Sequence, residues 1–159
     1  MYEHIKFKNA INMRKANYDK FPSTKLTGML VQGWDSIISM LKKKMDARKV
    51  LAVDLYTGVY EEEVLGAFSK EFSGRVMNVR DLMKPEKEIQ ALTERFMTED
   101  VLFGYVTNLK LEDYLDADKV AAARKQISEA KETIVIIGTG ASVVAPQDAM
   151  AVSYTHLRA

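Results

Sequence analysis

The chain of 159 residues has no cysteine and two histidines, His4 and His156. The first absence excludes disulfides and thiolate metal sites. The second leaves two imidazoles far apart, too few for a catalytic zinc held by about three protein ligands. No run approaches the roughly 20 apolar residues that crossing a bilayer needs. The N-terminus carries charges where a signal peptide would have its apolar segment, which predicts a cytoplasmic protein. Lys and Arg number 23 against 22 Asp and Glu, mixed without a sustained basic block, so the footprint of a nucleic-acid binder is missing.

What is present is organised around residues 49–68. A short, β-branched, nearly all-apolar run ends at Asp54-Leu55, breaks at Thr57-Gly58, and gives way to Val64, Leu65, Phe68 and Phe72 at helical spacing. That order is strand, loop, helix. A second apolar run, Thr133 to Ile137, passes directly into Gly138-Thr139-Gly140-Ala141-Ser142. Two such strands separated by helices predict a three-layer α/β domain with a parallel sheet, in which Val50–Leu55 and Thr133–Ile137 are adjacent or near-adjacent central strands. Ligands in these folds sit outside the carboxyl ends of the strands. The candidate ligand-binding residues are therefore Asp54, Tyr56, Thr57 and Gly58 in one loop, with Gly138, Thr139 and Gly140 in the other.

The remaining chain fits around this frame. Leu26 to Gln32 reads as a short strand, and Trp34, Ile37, Ile38, Leu41 and Met45 recur at helical spacing. Asp35 at the start of that helix and Lys42, Lys43 and Lys44 at its end follow the order a helix macrodipole favours, which accounts for the lysine run, and Trp34 reads as a core anchor. Arg75 to Val79 is a brief strand. Pro85 opens a helix with Ile89, Leu92 and Phe96 on one face. Phe103-Gly104-Tyr105 reads as a turn capping the sheet in preference to a pocket wall. Leu111, Tyr114 and Leu115 suit one or two helical turns, and Val120 to Ala130 a longer helix. Residues 1–17 have no periodic apolar face and read as a loose extension, with His4 solvated. Residues 18–150 read as one domain, and 151–159 as a tail with neither strand nor helix continuity.

The loops restrict the chemistry. A Walker loop needs glycines that let backbone N–H groups close on phosphates, a lysine, and a hydroxyl for magnesium. Here Tyr56-Thr57-Gly58 is followed by Glu61-Glu62-Glu63, and three carboxylates in a first helical turn repel a phosphate from its N-terminus. Gly138-Thr139-Gly140 is a lone Gly-x-Gly, which is most often a turn. Asp54-Leu55-Tyr56-Thr57-Gly58 resembles the strand-terminal Asp-x-Asp-Gly-Thr of haloacid-dehalogenase phosphatases, which implies Asp54 as a nucleophile. Tyr56 replaces the second aspartate, so the usual general acid is lost. The other reading of Asp54 is an acceptor for loop N–H groups that shapes the turn. No catalytic residue and no metal ligand is assigned.

Five segments in order, Lys20-Phe21-Pro22-Ser23-Thr24-Lys25-Leu26-Thr27-Gly28, Gln32-Gly33-Trp34-Asp35, Tyr56 to Leu65, Phe103-Gly104-Tyr105-Val106-Thr107 and Ile137 to Ser142, resemble the N-terminal region of long bacterial class I mannose-6-phosphate isomerases. The resemblance covers roughly Met13 to Met150. It implies a P-loop-kinase-like domain of the uridine kinase type with a degenerate phosphate loop at Leu55 to Glu61, followed in the parent chain by a zinc-dependent cupin isomerase domain. On that basis zinc is expected only in the downstream domain, with no cofactor here, and the expected partners are that cupin and further copies of the chain. The last residues, Val-Ser-Tyr-Thr-His-Leu-Arg-Ala, look like translated sequencing-adapter read-through, which implies a truncated chain and no role for His156. The resulting expectation is an accessory, non-catalytic, kinase-like fragment of an aldose-ketose isomerase. The alternative is a small stand-alone enzyme, either a nucleotide or uridine kinase-like phosphotransferase or a phosphatase using Asp54.

Overall fold

The computed structural model describes Tyr18 and residues 21–23, 27–28, 30–45 and 49–153, so the extension at 1–17 and the tail at 154–159 lie outside the described residues. The chain divides into two units, Met1–Leu30 and Val31–Ala159. All strands and helices among the described residues belong to the second unit.

Four strands form one parallel sheet in the order β2-β3-β1-β4: β1 (Val50–Leu55), β2 (Arg75–Asn78), β3 (Ile134–Gly138) and β4 (Ala149–Ser153). The two apolar runs of the sequence are neighbours, with Val50 opposite Ile134 and Asp54 opposite Gly138. Five helices accompany them: α1 (Trp34–Lys44), α2 (Glu61–Glu71), α3 (Glu86–Glu94), α4 (Ala117–Glu129) and the single turn α5 (Ala141–Val144). Two 3-10 turns, Val79–Leu82 and Leu111–Tyr114, border the sheet.

Side chains of a strand alternate between faces, and here both faces are covered. Leu51, Val53, Leu55, Val135 and Ile137 pack with Ile38 of α1, with Val64 and Phe68 of α2, and with Phe72. Val50, Ala52, Ile134 and Ile136 meet Val120 and Ala123 of α4 and Ala141 and Val144 of α5 on the other side. Helices on two faces of a parallel sheet make three layers. Each fully buried Ile, Val or Phe contributes about 1.5–3 kcal/mol relative to exposure, which is why the continuous apolar runs settle in the centre.

Connectivity positions the site. From β1 the chain passes through α2 across β3 to β2, whereas from β3 it passes through α5 across β1 to β4. The two crossovers run in opposite directions on opposite faces, so they share one hand, and the chain diverges at the carboxyl ends of β1 and β3.

Three expectations are corrected. Ala151, Val152 and Ser153, assigned to a structureless tail, belong to β4 and pair with Val53, Asp54 and Leu55. As an edge strand β4 alternates half-buried and exposed positions, with Met150 and Val152 more than half exposed, so it lacks the apolar run that marks the central strands. In the stretch read as a strand from Leu26, the described residues 27, 28 and 30–32 form none, and Gly33 at φ 84° leads straight into α1. Phe103 and Tyr105 do not cap the sheet. They are largely exposed and line a cavity of 480 Å³ together with Phe96, and the Tyr105 N–H donates to the Phe96 carbonyl at 2.8 Å.

Candidate functional site at the carboxyl edge of the sheet

Asp54 sits one residue before the end of β1, beside the loop that leaves β3. Its Oδ1 accepts from the Gly140 N–H at 3.0 Å, and its Oδ2 accepts from the Ser142 N–H at 3.3 Å and the Ser142 hydroxyl at 2.5 Å. Thr139 adds a fourth link, its hydroxyl donating to the Leu55 carbonyl at 2.9 Å. Glycine is required on both sides of Thr139. Gly140 holds a left-handed φ of 83°, and Gly138 combines a φ of 138° with an approach so close that a Cβ would lie 2.8 Å from the Cβ of Val79. The Gly-x-Gly thus folds the β3 loop back onto the Asp54 carboxylate.

The acceptor reading of Asp54 matches this geometry, with donors supplied by the β3 loop instead of its own. Oδ1 accepts one hydrogen bond and Oδ2 two, which fills three of the roughly four lone-pair sites of the carboxylate. The structure brings Asp54, Gly138, Thr139 and Gly140 together and leaves Tyr56, Thr57 and Gly58 in an exposed turn beside them. That turn is held by the Tyr56 N–H to the Ser153 carbonyl at 2.9 Å and the Val59 N–H to the Tyr56 carbonyl at 3.2 Å, with Gly58 at φ 93°.

The turn enters α2, whose first three residues are Glu61, Glu62 and Glu63. Trp34, half-buried against the α1/α2 side of the core, donates its indole N–H to Glu63 at 2.9 Å. Arg80, in the turn after β2, lies 3.2 Å from Glu61 and 3.9 Å from Glu62. Its own N–H donates to the Asn78 side chain at 2.8 Å, which fixes where the arginine leaves the backbone. Lys42, by contrast, is over the Phe72 ring at 5.8 Å and borders a cavity with Gly74 and Thr133 at the amino end of the sheet, so the lysine at the head of that run serves the opposite edge.

Between α2 and the β3 loop opens a cleft of 350 Å³. Glu61 and Arg80 flank it, Gly138 and Thr139 border it, and Val79, Met83, Leu111, Tyr114 and Leu115 complete its wall. Glu61 Oε1 is shielded from solvent and has no hydrogen-bond partner among the described residues. Arg80, Tyr114 and Ser142 were not candidates on sequence. Arg80 carried no motif, Tyr114 read only as part of a helical turn, and Ser142 stands 88 residues from the carboxylate that it meets.

No group of three or more His, Cys, Asp or Glu among the described residues is arranged to hold a metal ion, and no helix among them is long and apolar enough to cross a membrane. A family model described as Domain of unknown function (DUF8485) matches residues 33–157. The comparisons with curated proteins and with solved structures found no match.

Proposed function

The chain belongs to the DUF8485 family, whose description carries no activity, and from its own residues we propose that it is a kinase-like accessory domain that does not transfer phosphate. In this reading it serves regulation or assembly in a sugar-phosphate isomerase of the mannose-6-phosphate type. Isomerisation and zinc belong to a downstream cupin of the parent chain, and no cofactor is bound in these residues.

The observation that carries the proposal is the acidic first turn of α2. A P-loop kinase meets its triphosphate with a helix N-terminus and a lysine. Here the helix that follows the β1 loop begins with three glutamates, and Leu55 to Glu61 contains no lysine. Two unit charges about 4 Å apart interact by about 1 kcal/mol in water and about 4 kcal/mol near a protein surface, so several carboxylates offset what the helix dipole offers. Arg80 does not reverse this balance, since Glu61 and Glu62 already flank it. The segmental resemblance to the isomerases and the parallel three-layer architecture support the kinase-like assignment.

Calorimetric titration with magnesium and adenosine triphosphate at low salt tests the reading, using the chain and the variant with Glu61, Glu62 and Glu63 changed to Gln. No binding by the unmodified chain is expected, and micromolar binding would return the lead to a phosphotransferase. A phosphomonoesterase activity abolished by Asp54→Asn would favour the aspartyl phosphatase. In the longer parent chain, removal of residues 18–150 should leave isomerisation of mannose 6-phosphate in place. Its loss would assign chemistry to this domain.

A further inference from the structure

We infer that residues 97–106 form the interface through which two copies of this chain pair about a two-fold axis. The inference stands apart from the kinase-like reading, because a chain that bound nucleotide would pair through the same face.

Here the sequence puts an apolar stretch where no core receives it. Six of the fourteen large apolar side chains that stand exposed among the described residues fall within these ten positions: Met97, Val101, Leu102, Phe103, Tyr105 and Val106, at 69% to 98% exposure. Apolar residues scattered singly over a surface need no partner, whereas a large contiguous patch marks a contact. At roughly 60–120 Å² per aliphatic and 150–250 Å² per aromatic side chain, scaled by these exposures, the six present roughly 400–800 Å². That reaches or passes the roughly 300–600 Å² of the largest patch on a typical monomer and, with a polar rim added, meets the roughly 800 Å² per partner of a standard interface.

The stretch is held in shape before any contact is made. Asp100 Oδ1 accepts from the Leu102 N–H at 2.8 Å and from the Phe103 N–H at 3.2 Å. The Thr98 hydroxyl donates to the Phe103 carbonyl, and the Tyr105 N–H to the Phe96 carbonyl. Gly104 permits the second of these, since a Cβ there would lie 2.5 Å from the Phe96 carbonyl oxygen. A face ordered in advance loses little freedom on binding.

Its shape suits a second copy. Met97, Val101, Leu102, Phe103 and Tyr105 line the 480 Å³ cavity, while Val106 stands outside that lining, almost wholly exposed. An isologous contact needs a recess and a projection on one patch, so that each copy fills the other. Charge neither drives nor forbids this. The bordering elements carry both signs: Glu94 and Arg95 at the end of α3, Glu99 and Asp100 in the loop, Lys110, Glu112 and Asp113 after it, and Lys84, whose Nζ donates to the Asp113 carbonyl at 2.7 Å. The small acidic excess selects no strongly charged partner, and with a Debye length of about 8 Å at physiological salt it opposes pairing weakly.

Sedimentation velocity of the chain from about 5 to 200 µM tests the inference, since an interface of standard size gives micromolar affinity or better. The expected result is a shift from 18.0 kDa to twice that mass. Raising salt from about 0.15 to 1 M should preserve or strengthen the dimer, because apolar burial does not rest on charge. Val106→Asp, at a position already solvated in the single copy, should weaken pairing about thirtyfold or more while the far-ultraviolet circular dichroism is retained. Leu102→Asp gives the same readout should that variant fail to fold. Met150→Lys, which puts a charge on the edge strand β4, should leave the dimer intact. The inference is overturned if the chain stays monomeric at the highest concentration, or if the dimer dissociates in high salt. It is equally overturned if a folded Val106→Asp or Leu102→Asp protein pairs unchanged, or if Met150→Lys dissociates the dimer.

Discussion

Two loops leave the same edge of the sheet, each marked in the sequence by glycine and threonine, and they are built in opposite ways. The β3 loop is tied to β1 by four hydrogen bonds, three ending on one carboxylate. The β1 loop is secured by backbone bonds alone, with Tyr56 and Tyr60 at 67% and 81% exposure. A glycine-rich loop after a buried strand is therefore no guide by itself to a binding loop. In this molecule the deeper loop is the one bonded to β1 through side chains, and it borders the cleft.

The contrast is broken most directly by Asp54→Ala. Removing the carboxylate leaves the part-buried N–H groups of Gly140 and Ser142 and the Ser142 hydroxyl without their acceptor, which should cost about 3 kcal/mol, seen as a fall of about 10 °C in the thermal midpoint. A loss below about 0.5 kcal/mol in chemical denaturation would mean that the β3 loop is no more firmly held than its neighbour. Gly138→Ala should cost about 2 kcal/mol, because the added methyl meets Val79 and the φ of 138° disfavours a side chain. A neutral result would show that the loop can shift away from Val79 without penalty. Ser142→Ala, which deletes one of the three bonds to Asp54, is expected to cost about 1 kcal/mol. Tyr56→Ala, in the open loop, should change stability by no more than about 0.5 kcal/mol. A larger change would give the β1 loop a packing role that its exposure argues against.

Legibility in the sequence obeys the same physics. The central strands β1 and β3 were legible because burial on both faces forces an unbroken apolar run, α1 and α2 because their apolar residues repeat at helical spacing, and α4 because Val120 to Ala130 is rich in the strong helix formers Ala, Lys, Gln and Glu. β4 was not legible, since an edge strand needs no such run and Ala149-Met150-Ala151-Val152-Ser153 is short and mixed. Asp54, Gly138, Thr139 and Gly140 were identified as individual residues, but their meeting was not. A contact over 86 residues leaves no spacing to read. The Glu61 and Arg80 pair escaped for a related reason: the glutamates had a sufficient explanation as helix-starting residues, and the arginine's place depends on β2 lying two strands away from β1.

The register of β1 also governs when the fold can form. The first strand of the sheet to be synthesised is a central one, and both of its partners come late: Val50 pairs with Ile134, and Leu51 with Ala149. Even its ends await distant residues, since the N–H groups of Lys49 and Val50 donate to the Asp148 carboxylate while Asp54 accepts from Gly140 and Ser142. On a ribosome adding about 5–20 residues per second, an almost wholly apolar strand therefore waits roughly 4–20 s for its neighbours, longer than the ms–s in which most small β-rich domains complete folding. Through that interval α2 can form beside it but cannot supply a single sheet hydrogen bond. Folding is gated by the last third of the domain, and a chain released before β3 emerges would carry β1 with both edges unpaired, the arrangement most prone to pair with another copy of itself.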